Sequence, residues 1–452
     1  MKKLIVLVAA LAAVAAEAAI TITDVSARQR WPWNGLVDVD FTISGAAAGE
    51  AFAIDIDATA AGGATQLSAK TYAVEPVAGA GANRIVWDLG ADYPEFRAND
   101  VRISVTATPI SADKAIYMVI DLSGGSTATK YPVRYTTQAP AHVRGAADEP
   151  CQTTELWMRR IVVPDAAFTV NSYTVVADNP NSNQKQAFWG KLTKDYYIGM
   201  FELTQKQYQL VMGAWPNSWF TNEQYRASRP VDGLQYKTLS GTWRDTQAEP
   251  STITEASFLG KIRARTGLSI NLPSSTQLNF AHRGGSLLSS TSEFHRYYIN
   301  GSQAVLNDIA RYTGTVETTS PERDCNVNSG TAYVGSYLPN EYGIYDALGN
   351  VGEFTCEYAI NTSTTTYRGY YQAHFDDNTL GNTKAKPVTD PPGPSRDYML
   401  YNSDVYRRAR GGNWKLDSGY NTLWYQSNAD SSSADGSNGL SGYGFRLSLT
   451  VE

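Results

Sequence analysis

The segment Asp346-Ala-Leu-Gly-Asn-Val-Gly-Glu353 constrains what this chain can fold into more than any other stretch. Its two carboxylates flank a turn punctuated by glycines, so acid side chains and backbone carbonyls can converge on one point. Several oxygen donors on a flexible loop suit a hard cation such as calcium.

The rest of the chain sets the frame for that turn. Met1-Lys2-Lys3, the apolar run Leu4 to Ala16 and the small-x-small site Ala16-Glu17-Ala18 read as a secretory signal peptide over 1–18. That run is short for a membrane span and no second one follows, so no span is expected after cleavage. A chain of 452 residues has room for about two or three domains. With 42% hydrophobic and 18% charged residues it is globular, and a net charge of −6 gives no support to nucleic-acid binding. Cys151, Cys325 and Cys356 allow one internal bridge at most, and whether Cys325 pairs with Cys356 stays open. His142, His282, His295 and His374 are scattered without paired spacing, which argues against a zinc or iron site built on histidine. His295 reads as a surface residue.

Residues 19–112 read as an all-β domain. Ile20-Thr-Ile-Thr-Asp, Val37-Asp-Val-Asp-Phe-Thr-Ile, Ala53-Ile-Asp-Ile-Asp and Val101-Arg-Ile-Ser-Val-Thr-Ala alternate apolar and polar residues. Short strands with Gly- and Ala-rich turns predict a sandwich of immunoglobulin or fibronectin type. Trp87 is expected in its core, and Trp31 and Trp33 in packing. Residues 113–150 read as a bridging hairpin and linker. From 151 to 452 the texture becomes long and irregular, with helices expected at Thr204–Met212, Thr254–Thr266 and Ser274–His282. Such a domain needs bound calcium or buried aromatics to fix its loops.

Five ordered stretches then carry a family resemblance. They are Tyr197-Ile-Gly-Met-Phe-Glu-Leu-Thr204 with Gln207-Tyr208, Arg229-Pro-Val231, Leu272 to Gly285, Asn340 to Thr355, and Arg410-Gly-Gly-Asn-Trp414 with Gly444-Phe-Arg-Leu447. Together they resemble the formylglycine-generating enzyme, or sulfatase-modifying-factor, domain over roughly 154–449. The resemblance implies an α+β variant of the C-type lectin fold with low regular secondary structure. In the aerobic enzyme two cysteines hold copper; the matching positions here are Leu416 and Asn421, which supply no thiolate. A second enzymatic branch uses iron on histidines of an added helical domain, which this chain lacks. Neither copper nor iron is therefore expected. The resemblance also implies structural calcium on Asp346, the Gly349 and Val351 carbonyls, and Glu353. A second site would begin with Asn326 and the Val327 carbonyl, although the stretch that should complete it is missing. The rival reading has Asp346 and Glu353 capping a turn and pairing with a nearby arginine.

The segment between Trp414 and Gly444 is rich in Tyr, Ser, Gly, Asn and Asp. Rigid aromatics beside small polar residues are the chemistry of adaptable binding loops, and in the family this segment lines the substrate groove. Tyr420, Asn421, Trp424 and Tyr425 are the expected ligand contacts, while Trp414 and Phe445 are expected to pack inside. The resulting expectation is a secreted or envelope-associated, non-catalytic binding or adhesion protein, braced by calcium, that meets an extracellular protein or glycan. Two alternatives stand beside it: an enzyme of the superfamily with a non-standard site, and a retroelement-diversified variable protein.

Overall fold

The structure is a computed structural model that describes residues 20–30, 35–46, 51–73, 76–110, 115–170, 188–219, 225–241, 253–285, 297–299, 302–316, 330–358, 388–390, 406–423, 425–430 and 442–451. The chain divides into two compact units, Met1–Lys114 and Ala115–Glu452. Trp31, Trp33, His295, Cys325, Asn326, Val327, Trp424 and residues 431–441 lie outside the described residues. Among the described residues no helix is long and apolar enough to cross a membrane.

Period-two alternation builds the first unit. Strand Leu36–Ser44 lies between Thr21–Gln29 and Gly81–Asp88 in one antiparallel sheet. Strand Ala51–Ala60 pairs with Thr65–Ser68, Val77–Gly79 and Arg102–Pro109 in the other. Val37, Val39, Phe41 and Ile43 from the first sheet share one apolar core with Phe52, Ile54, Ile56 and Ala58 from the second. Trp87 is 1% exposed in that core, as its sequence context predicts. Its indole Nε1 donates to Asp92 Oδ2 at 2.8 Å. Burial works against the Asp92 charge, yet the Lys70 and Thr71 amides, the Thr71 hydroxyl and the indole outweigh it, holding the carboxyl down at about 2.

The second unit begins at Ala115, so it takes in nearly all of the segment expected to bridge the domains. Strands Tyr117–Asp121 and Val133–Thr136 do form a hairpin. They also continue a five-stranded antiparallel sheet through Glu155–Ile161, Tyr196–Gly199 and Ser448–Thr450. Met118, Val119 and Ile120 are fully buried, so this hairpin needs the sheet beside it. The expected linker is likewise fastened down. Tyr333 donates to the Gly145 carbonyl at 2.5 Å, Gln152 to that of Val334 at 2.7 Å, and the Asp148 amide to Ser228 Oγ at 2.6 Å. No linker remains at 138–150.

Helices are few and their ends are written locally. Thr204 Oγ1 accepts from the Gln207 amide at 3.2 Å while Gln207 Oε1 accepts the Thr204 amide at 3.0 Å, so the pair caps helix Gln205–Met212. That helix closes at Gly213 with φ +88°, a conformation that costs glycine little. Helix Phe258–Thr266 starts four residues after the expected Thr254, because Ser257 supplies the cap. Ser274 caps Ser275–His282 in the same way. A second sheet runs Gln426–Asp430, Tyr406–Arg410, Gly352–Tyr358 and Tyr443–Gly444. Phe445 is fully buried as expected, whereas Trp414 is only half-buried.

Candidate functional site

The turn singled out by the sequence folds around a buried charge network. Asn340 fastens its start: the Nδ2 group donates to the Ala281 and His282 carbonyls at 2.7 and 3.1 Å. Asp346, Gly349 and Asn350 then take φ of +53°, +76° and +52°. At Gly349 a Cβ would sit 2.2 Å from the Arg311 carbonyl, so only glycine fits there. The chain enters strand Gly352–Tyr358 with Glu353 pointing inward at 1% exposure.

Glu353 meets an arginine. Arg446 Nε donates to Glu353 Oε2 at 2.6 Å and Nη2 to Oε1 at 2.5 Å, a two-pronged pair. The same guanidinium donates to the carbonyls of Gly199 at 2.9 Å and Tyr345 at 3.0 Å. Burial opposes the Glu353 charge, but Arg446 prevails and lowers the carboxyl below its ordinary range. Glu202 stands on the other side, accepting from Asn350 Nδ2 at 2.6 Å and the Val351 amide at 3.0 Å. Burial, with Asp346 and Glu353 nearby, pushes Glu202 well up. Asp346 Oδ2 accepts the Gly335 amide at 2.7 Å, while its Oδ1 is buried without a partner. Burial pushes that carboxyl up to about 6. Sequence reasoning left Glu202 and Arg446 without a role, although both stand inside motifs it singled out.

The residues fit calcium only in part. Ionised together, three buried carboxylates around one guanidinium would carry surplus negative charge, and Asp346 Oδ1 has room in its bonding for a cation. Glu353, by contrast, gives both oxygens to Arg446, the pairing that the rival reading predicts. Asn326 and Val327 of the second expected site lie outside the described residues.

The C-terminal contacts separate into two kinds. Asn421 is fully buried, with Nδ2 donating to the Leu416 and Asp417 carbonyls at 3.0 and 2.9 Å. Leu416 and Asn421 are thus joined by an amide hydrogen bond. Asn421 therefore fastens the turn, and Tyr425, 5% exposed, is also withdrawn from solvent. Tyr420 is 42% exposed, its ring set edge-on to Tyr425 with centroids 5.3 Å apart. Hydrogen-bond closure of residues 413–421 turns Asn421 inward, which composition alone does not reveal.

A neighbouring surface went unnoticed in the sequence. Trp219 is 47% exposed, and Lys415 Nζ lies 5.8 Å from its ring and 5.4 Å from that of Trp414. Beneath them Asp232 Oδ1 accepts the Trp219 amide at 3.1 Å. Its Oδ2 is buried and unpartnered, and burial pushes the carboxyl up to about 6. The clue available in the sequence was the cluster Trp215-Pro-Asn-Ser-Trp219 after the first helix.

Comparison with known proteins adds the following. Among solved structures, Treponema denticola variable protein 1 is 19% identical with a TM-score of 0.41, covering 66% of this chain and 96% of its own. PvdO from Pseudomonas aeruginosa is 16% identical with a TM-score of 0.44, covering 69% and 100%. CarF is 14% identical with a TM-score of 0.36, covering 65% and 99%. No curated protein sequence matches the chain. The sulfatase-modifying factor enzyme 1-like domain matches residues 152–451, which is most of the second unit. The chain belongs to that family.

Proposed function

We propose that this chain is an exported, non-catalytic binding or adhesion protein that meets an extracellular protein or glycan through Trp219, Lys415 and Tyr420. The observation that carries the reading is the exposed ring of Trp219 with the Lys415 ammonium beside it, on the turn that also presents Tyr420. Aromatic rings and a cation offer both stacking area and polar recognition. Leu416 and Asn421 support it from the negative side, since a backbone carbonyl and an amide replace the thiols that family chemistry uses. The N-terminal unit is, in this reading, a sandwich of immunoglobulin or fibronectin type, supported by its two antiparallel sheets over one core.

The test is an array of glycans and extracellular-matrix proteins probed with the wild-type chain, Trp219→Ala and Tyr420→Ala. Each variant is expected to lose about tenfold in affinity or more for the ligand found, with melting unchanged. Equal binding by all three chains would sink the reading. Trp424→Ala belongs in the same series.

Calcium as a brace of the Asp346 turn is part of the proposal. The unpartnered Asp346 oxygen and the surplus of buried acid support it. Removal by a chelator is expected to lower Tm by about 2 °C or more. An unchanged melt would discard the brace and leave the binding face standing.

Asp232 favours a second reading, an enzyme with a non-standard site. A buried carboxyl displaced to about 6 beside Lys415 is the kind of group acid–base chemistry employs. Turnover of any array ligand that vanishes in Asp232→Asn, with binding retained, would favour this reading over the first.

A further inference from the structure

The segment first read as a linker holds the constellation that histidine spacing was expected to exclude. His142 Nδ1, a carboxylate oxygen of Glu149 and Cys151 Sγ lie within 4.8 Å of one another. Their side chains are withdrawn from water: His142 is 2% exposed, Glu149 16%, and Cys151 3% as a residue. The short helix Pro150–Thr153 presents Cys151, and the loop before it folds His142 back onto Glu149.

Hydrogen bonding decides which way these atoms face. His142 Nε2 lies 3.1 Å from the Gly335 carbonyl, an acceptor, so Nε2 carries a proton. With Nε2 so engaged, Nδ1 faces Glu149 Oε2, the two atoms in direct contact. At that separation only a shared proton fits between the two atoms; an ion held by both would part them to about 3 Å and take the proton's place. Cys151 Sγ approaches the same Oε2 at 3.9 Å.

We propose that a zinc ion occupies this position, held by His142 Nδ1, Glu149 Oε2 and Cys151 Sγ, with one coordination place left open. Nitrogen, oxygen and sulfur on three residues form a mixed donor set that a borderline-soft, tetrahedral ion accepts and calcium does not. The outer partners that zinc ligands require are already in place. The second ring nitrogen of His142 meets the Gly335 carbonyl, and the Val143 amide donates to Glu149 Oε1 at 3.1 Å. The imidazole ring is also set edge-on against Phe201 and Tyr345, at 5.2 and 5.0 Å between centroids, two rings that are themselves stacked. Burial, together with the Glu149 charge, pushes the thiol up to about 12, so without an ion Cys151 stays protonated. Zinc entry releases the Cys151 proton and any proton shared by His142 and Glu149, leaving thiolate, neutral imidazole and carboxylate on the metal.

The site would clasp 142–151 to the loop at Gly335, whose amide in turn holds Asp346. It is independent of calcium at the turn, because no donor atom is shared.

The experiment uses the full chain purified without a histidine tag. Metal analysis is followed by cobalt substitution in the wild type, Cys151→Ser and His142→Gln. Expected are one zinc per wild-type chain, a thiolate-to-cobalt charge-transfer band that Cys151→Ser abolishes, and zinc affinity reduced beyond roughly 100-fold in either variant. A folded wild type that takes up neither zinc nor cobalt would overturn the proposal and leave an imidazolium–carboxylate pair. Zinc kept equally by both variants would overturn it too, by placing the ion elsewhere.

Discussion

The two units handle charge in opposite ways. In the first, Asp38 is covered by Arg28, Arg30 and Arg84, whose side chains are 73%, 39% and 49% exposed. In the second, Glu353 and Arg446 are 1% and 0% exposed, with Glu202 and Asp346 buried beside them. Asp38 itself is 5% exposed, but water still solvates each of the arginines, so each of these pairs contributes less than a fully buried one. A buried pair is costly to make and costlier to break, since removing one partner strands the other in a medium that cannot solvate it. The first unit is therefore held by apolar packing and the second by packing plus a polar network that has to be complete.

The comparison breaks first at Arg446. Arg446→Ala is expected to destabilise the second unit by about 3–5 kcal/mol, measured by denaturant unfolding. A loss below about 1 kcal/mol would show that the network is dispensable. In the first unit the counterpart is Trp87→Ala, expected to cost about 3 kcal/mol through the cavity and the stranded Asp92. Calorimetry should show that cost in one transition with the other unmoved; a shift of both would mean the units unfold together.

A finer test lies at Asp346. Its carboxyl rises from 3.8 to about 6 on burial, so the folded state binds a proton that the unfolded chain has released. The associated stability is fully present below about pH 4 and is lost as pH rises through about 6. Asp346→Asn should flatten that loss and stabilise the calcium-free protein at neutral pH by about 1–2 kcal/mol. If the variant instead melts lower in calcium than the wild type, the carboxylate serves an ion there.

Thr204→Ala should cost about 1 kcal/mol, because Oγ1 both caps its helix and donates to the Gln152 carbonyl at 2.7 Å. No change in unfolding midpoint would remove the cap from the account. The smallest effect is expected at Tyr420→Ala, within about 0.5 kcal/mol on stability. A larger loss would make Tyr420 a packing residue and remove it from the binding face.

Legibility follows the same division. Alternation in Leu36–Ser44 and Ala51–Ala60 placed strands and core correctly, because each strand's inward face is written in its own neighbours. Caps at Thr204 and Ser274 were equally local. The motif around Asp346 located the turn, yet not the partner of Glu353. Asn421 had a polar side chain in a polar segment, and only closure of residues 413–421 turned it inward. Histidine spacing gave no sign of the cluster of His142, Glu149 and Cys151, since His142 finds Cys151 through a folded loop, with Glu149 between them, and not along one helix face.

What the sequence by itself determined is the family of the second unit and the strands of the first. What only the tertiary structure decided is who meets whom across the chain. Arg446 reaches Glu353 over 93 positions, and Asn350 reaches Glu202 over 148. Periodicity and capping act over a few residues, so they survive in the order of the letters. Pairing of buried polar groups depends on which loops the sheets bring together, and no short window of sequence contains that.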